Sequence, residues 1–147
     1  MFIDPHWSSP RAEAWTMASK YWASSPQRKF NGESDAGMGY RNWSYCQPND
    51  TKRLFYRIPV STFAGKTILS AEPVVHNTWS ASCTAKSVEL WQTKDISSST
   101  TWTSQNASGY WIKQLASDSF AYGYTGCSAQ GCRVQREVGR AVGRECA

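Results

Sequence analysis

The chain has 147 residues, a formal net charge of +5, and eight Trp, seven Tyr and five Phe among them. That length suits one domain with a real core, and the sequence holds no run of about 18 apolar residues that would span a membrane as a helix. Four Arg against two Glu after Gly131 supply +2 of the +5, so the body is only mildly basic and nucleic-acid binding is disfavoured.

Many aromatics, sparse aliphatics and abundant Ser and Thr suit an all-β fold with broad polar faces. The opening Met1–Pro5 has neither the basic nor the apolar part of a secretory leader, and fits an excised domain, or a mature chain with an added Met, as well as it fits a cytosolic protein. Ala12–Ala23 reads either as a short helix or as a loop whose Trp15, Tyr21 and Trp22 cap one end of the core, the second being favoured. Lys29–Gly39 is a surface loop, Met38–Tyr45 a strand, and Gln47–Asp50 a turn. Apolar and polar residues alternate through Leu54–Tyr56–Ile58 and again through Val88–Leu90, the period of a half-buried strand. Between these, Ala64–Lys66 is a turn and Thr67–Asn77 a β-branched strand that Pro73 interrupts at a bulge or an edge. Lys94–Ser99 reads as a turn, Thr100–Thr103 as a short strand, Gln105–Gly109 as a turn, and Tyr110–Leu115 and Phe120–Tyr124 as two further strands. About seven or eight strands with turns every eight to twelve residues predict an antiparallel β-sandwich or jelly roll. The module is expected over residues 1–130, and residues 131–147 read as a basic tail, frayed or foreign to the domain.

The five cysteines (Cys46, Cys83, Cys127, Cys132 and Cys146) match no zinc spacing, and disulfide pairing in a secreted protein is the better reading. Cys83 follows one strand and Cys127 ends another, so a Cys83–Cys127 staple is the first expectation; Cys132–Cys146 would then close the tail and leave Cys46 over.

The central stretch resembles the DNRLRE-type modules of bacterial, especially actinomycete, secreted and cell-surface proteins. The resemblance is carried by Phe55–Ile58, Phe63–Lys66, Ile68–Ala71, Trp79–Ala85, Val88–Trp91 and Ser97–Trp102, and extends over roughly residues 30–128. It implies a jelly-roll-like β-sandwich acting outside the cell as a non-catalytic accessory domain, in a family where some members bind acidic polysaccharide. The chain departs from the family pattern at Pro59 and Pro73, and its tail stands where a final apolar strand would close the sandwich. A sheet edge left open in that way favours self-association.

No nucleophile motif is present, since Gly32–Ala36 lacks the closing Gly of an elbow, and His76 reads as a strand histidine. Glu33, Asp35, Glu72 and Glu89 read as solvated carboxylates, so no enzymatic activity and no catalytic residue are expected. No cofactor is called for; a structural calcium on loop oxygens from Asp35, Asn49, Asp50 or Asp95 is the one metal the composition allows. The best functional lead joins aromatic and basic residues, because flat rings stack on pyranose faces while Arg and Lys hold acid groups. Tyr40, Arg41 and Trp43 cluster in sequence, as do Trp111 and Lys113, and Arg53 and Arg57 share a strand face; these seven are the candidate ligand-binding residues. The expected partner is a polysaccharide or cell-wall glycan. A structural or self-associating spacer is the alternative, and a fragment of a polysaccharide lyase or hydrolase a weaker one.

Overall fold

The computed structural model describes residues 10–28, 36–42, 48–68, 70–71, 73–75, 77 and 79–122. Strands dominate, with little helix: β1 (Ala14–Ser19), β2 (Gly39–Arg41), β3 (Asp50–Arg57), β4 (Lys86–Thr93), α1 (Trp102–Gln105) and β5 (Trp111–Phe120), with a 3-10 turn at Ser61–Phe63. One sheet has the order β1-β3-β2, and β4 pairs with β5 in a second. Among the described residues no helix is long and apolar enough to cross a membrane. The chain divides into two compact units, one drawn from Met1–Ala64 and Thr93–Trp111 and the other from Gly65–Gln92 and Ile112–Ala147.

In the first unit, β3 is the central strand, antiparallel to both neighbours. Its register with β1 runs from Ala14↔Arg57 to Ser19↔Lys52, and with β2 from Gly39↔Lys52 to Arg41↔Asp50. The stretch expected as helix or capping loop is therefore strand β1. All six residues of β1 pair with Lys52–Arg57 of β3, and that ladder outweighs the weak helix propensity of the β-branched and aromatic residues within it.

Directly paired residues share a face of the sheet and successive ones alternate. One face therefore carries Ala14, Thr16, Ala18, Tyr40, Thr51, Arg53, Phe55 and Arg57. On it sits the hydrophobic core of Ala14, Ala18, Phe55, Ile96 and Tyr110, with Trp102 and Trp111 packed against it. Phe55 meets Tyr110 edge-on at 6.0 Å between ring centroids and Trp111 at 5.6 Å. The other face carries Met17, Ser19, Arg41, Asp50, Lys52, Leu54 and Tyr56.

Tyr110 is buried, and its hydroxyl has no hydrogen bond of good geometry. Burial raises the phenol's pKa, which the nearby Thr100 and Thr93 hydroxyls offset only in part. A group raised on folding contributes stability below its unfolded pKa and loses it as pH rises through the folded value. Wild-type stability should thus fall above about pH 10. Tyr110→Phe should be neutral or up to about 1 kcal/mol more stable at pH 7, since it removes an unpaired buried hydroxyl. It should also flatten part of the alkaline decline, leaving the part due to Tyr56, whose pKa burial also raises. Urea titrations at pH 7 and pH 10.5 measure both effects, and a loss above about 1 kcal/mol at pH 7 would contradict the unpaired hydroxyl.

Three further expectations change in the structure. The described residues of Thr67–Asn77 form no strand. Thr100–Thr103 is not a strand: Thr101 N-caps α1, its side chain accepting from Ser104 N while the Ser104 side chain accepts from the Thr101 backbone. Both hydroxyls reach backbone groups here, and this local bonding beats β-branched propensity over so short a span. The strand expected over Tyr110–Leu115 runs on as the ten-residue β5 to Phe120. Of the strand expected over Phe120–Tyr124 only Phe120 is in β5; Ala121 and Tyr122 form no strand, and Gly123 and Tyr124 lie outside the described residues. Val88 and Leu90 do lie on a strand, β4. The tail after Gly131 lies outside the described residues, as do Trp43, Cys46, Cys127, Cys132 and Cys146. Cys83 is disulfide-bonded, and the Cys83–Cys127 pairing stays an expectation.

Candidate functional site

The face of the first sheet turned away from the core holds a pocket of about 210 Å³, lined by Met17, Ser19, Tyr21, Trp22, Gln27, Arg41, Pro48, Asp50 and Lys52. Strand alternation places the floor: Met17 and Ser19 from β1, Asp50 and Lys52 from β3 and Arg41 from β2 all point to this face. Gln27 joins along the edge of β1, where its carbonyl accepts from Met17 N at 3.2 Å and Thr16 bridges Arg28.

The turn after β1 builds one wall. Tyr21 and Trp22 are 50% and 57% exposed, with ring centroids 4.9 Å apart and ring planes at 87°. Aromatic rings this open on a surface need a local device to hold them, and Asp50 supplies it. Its carboxylate, only 4% exposed, accepts from Ser19 Oγ at 2.7 Å and from Tyr21 N at 2.9 Å. Ser19 Oγ in turn accepts from Trp22 N at 3.2 Å. Further along, Thr103 donates both its N–H and its hydroxyl to Ala23 O, each at 3.0 Å. The rings are therefore mounted on a hydrogen-bonded turn.

Arg41 forms the basic side of the pocket. One of its terminal nitrogens donates to Pro48 O at 3.2 Å, while its Nε is buried and has no acceptor among the described residues. A guanidinium that lines a pocket can pair with an anionic oxygen. Arg41 and Asp50 are register partners, yet the Asp50 oxygens accept from the turn.

The seven sequence-derived candidates are scattered by the fold. Arg41 lies in the pocket, and Trp43 lies outside the described residues. Tyr40 is exposed on β2, on the opposite face from Arg41. Arg53 and Arg57 do share a face, but it is the face that packs on the core. The Arg53 guanidinium lies 4.5 Å from the Trp102 ring centroid and 5.0 Å from that of Trp111, and donates to Gln105 Oε1 at 2.8 Å. Burial lowers its pKa. The two indoles recover by cation–π attraction part of what a half-buried charge loses. Trp111 is itself half-buried and donates from Nε1 to Gln105 O at 2.8 Å. Arg57 binds both Asp95 oxygens, at 2.8 and 2.9 Å, reaches Ile96 O, and lies 3.8 Å from Glu13. Its hydrogen bonds hold Asp95 below the usual carboxylate range, and Asp95 raises Arg57 in return. Lys113 is exposed on β5.

Tyr21, Trp22, Asp50 and Lys52 carry the pocket without being among those candidates. The signal available was an aromatic pair, Tyr21–Trp22, at the end of a stretch that can be a strand, facing a lone acid that opens the next one. As for metals, Asp50 opens β3 while Asp95 pairs with Arg57 at its far end, a separation along the strand of about 23 Å. One ion cannot be held by both. Among the described residues no three His, Cys, Asp or Glu side chains cluster as a metal site.

Chemically, the pocket can stack a ring against indole or phenol, hydrogen-bond through Gln27 and Lys52, and hold an acid group at Arg41. The Ser19 hydroxyl is buried and donates to Asp50, so it is occupied in holding the turn. The chain matches no family model, no curated protein and no solved structure.

Proposed function

We propose that the chain is a non-catalytic accessory module of jelly-roll-like β-sandwich architecture, working outside the cell and binding acidic or cell-wall polysaccharide. The reading rests on the aromatic character of the sequence, on the resemblance at its centre, and above all on one observation. A half-exposed Tyr21–Trp22 pair stands in one pocket with the basic side chain of Arg41. Sugar rings offer the apolar faces the indole needs, and an acidic substituent offers an anion for a guanidinium.

A glycan-array screen of the oxidised protein, covering uronate polymers, teichoic acids and peptidoglycan fragments, tests this. Trp22→Ala should weaken binding by about 2 kcal/mol, roughly 30-fold, because an aromatic anchor in a pocket carries a large share of binding energy. Arg41→Gln should weaken binding of acidic glycans more than that of neutral ones. Trp22 is more than half exposed, so its loss should leave folding intact. Trp111→Ala is a poor probe, since Trp111 packs on the core.

The spacer alternative draws on the three-residue edge strand β2 and its exposed Tyr40, a short edge that a second copy could extend. No binding across the array, together with an oligomer that grows with protein concentration, would support it and sink the glycan reading.

A further inference from the structure

We infer that the pocket takes a single sugar residue at the end of a chain rather than a stretch of chain interior; this rests on the glycan-binding reading above. Two observations carry it. The first is size. About 210 Å³ is below the roughly 300–1,000 Å³ of pockets that bury drug-sized ligands, and fits one ring rather than several.

The second is the arrangement of the aromatic wall. A chain bound along its interior needs flat rings lying side by side in one plane, so that successive sugars stack on them. Tyr21 and Trp22 instead stand at 87° with their centroids 4.9 Å apart. Such a pair forms a corner, one face and one edge, into which one ring fits and along which a chain cannot run. The turn that carries the corner is held, because Asp50 binds Tyr21 N and, through Ser19 Oγ, Trp22 N. Across the pocket, Arg41 is tied to Pro48 O. The ring enters with its acid group toward the Arg41 guanidinium, and the rest of the chain leaves into solvent.

Calorimetric titration of the full chain with galacturonate and mannuronate oligomers of one to eight residues, and with the two polymers, tests this. The expected result is a Kd that changes less than about twofold from dimer to octamer, with one protein bound per chain at every length. Trp22→Ala should weaken every length by the same factor. Affinity that climbs with each added residue, or several proteins bound along one polymer chain, would overturn chain-end recognition. So would binding to the polymers with none to the oligomers, while leaving the glycan-binding reading in place. No binding to oligomers or polymers overturns chain-end recognition of an acidic sugar, and the glycan array then decides the broader reading.

Discussion

Phe55→Ala is expected to cost about 3–5 kcal/mol, the range for truncating a buried aromatic. Phe55 is 5% exposed and is the residue around which Ala14, Ala18, Ile96, Tyr110 and Trp111 gather. Small neighbours on β1 cannot swell into the space, and the rings of Tyr110 and Trp111 lose their packing partner, so a cavity term adds to the transfer term. Against a total stability of about 5–15 kcal/mol, the variant should be largely unfolded at 37 °C or close to it. Denaturant melts followed by tryptophan fluorescence measure the loss, since Trp102 and Trp111 flank the core. Phe55→Leu should cost about 1.5 kcal/mol or a little less, as expected for a swap nearer in volume. Tyr40→Ala, at an exposed position on the same face, should stay within about 0.5 kcal/mol. If Phe55→Ala cost less than about 1 kcal/mol, the core would lie elsewhere.

Asp50→Ala is the second large effect, and it links stability to binding. The substitution strips acceptors from a buried Ser19 hydroxyl and from Tyr21 N. Donors left unpaired, with bonds to a charged acceptor lost, should cost about 3 kcal/mol. The same change frees the turn that carries Tyr21 and Trp22. Glycan binding should therefore fall at least tenfold even in the folded fraction, because the aromatic corner must be ordered again on binding. Asp50→Asn separates the two roles. It keeps the shape and one acceptor, so it should retain most of the fold and lose an intermediate share of affinity. Thermal melts and calorimetry on the same samples give both numbers; an Asp50→Ala protein that binds as tightly as wild type would rule out the turn as the site.

Much of the strand content was legible in the chain. Alternation through Leu54–Tyr56 marks β3, and the run around Val88–Leu90 marks β4, because a period of two is a property of the backbone itself. The turn at Ala64–Lys66 holds Gly65 at φ 71°, a conformation glycine adopts without strain. Short segments were read less well. Thr100–Thr103 looks β-branched, yet two side-chain hydrogen bonds at Thr101 and Ser104 close a helical turn, and such bonds depend on neighbours that propensity does not weigh. Ala14–Ser19 has no strong period of its own; it is a strand because β3 offers it a ladder.

The sequence by itself determined that the chain makes antiparallel strands rich in aromatics, and that Arg53 and Arg57 fall on one face with Phe55 between them. Only the tertiary structure decided which face is the inside. Alternation is symmetric, so Leu54–Tyr56–Ile58 looks like the apolar side, but Tyr56 is 48% exposed while Phe55 is buried. Two arginines beside a core phenylalanine read as a solvent face until partners arrive from far along the chain. Trp102 and Trp111 sandwich Arg53, and Asp95 neutralises Arg57. With the charges matched in this way, the aromatic side could turn inward, and the opposite side carries Arg41, Lys52 and the pocket beside the Tyr21–Trp22 corner. Partners about forty to sixty residues away are what local pattern cannot see, and they placed the pocket.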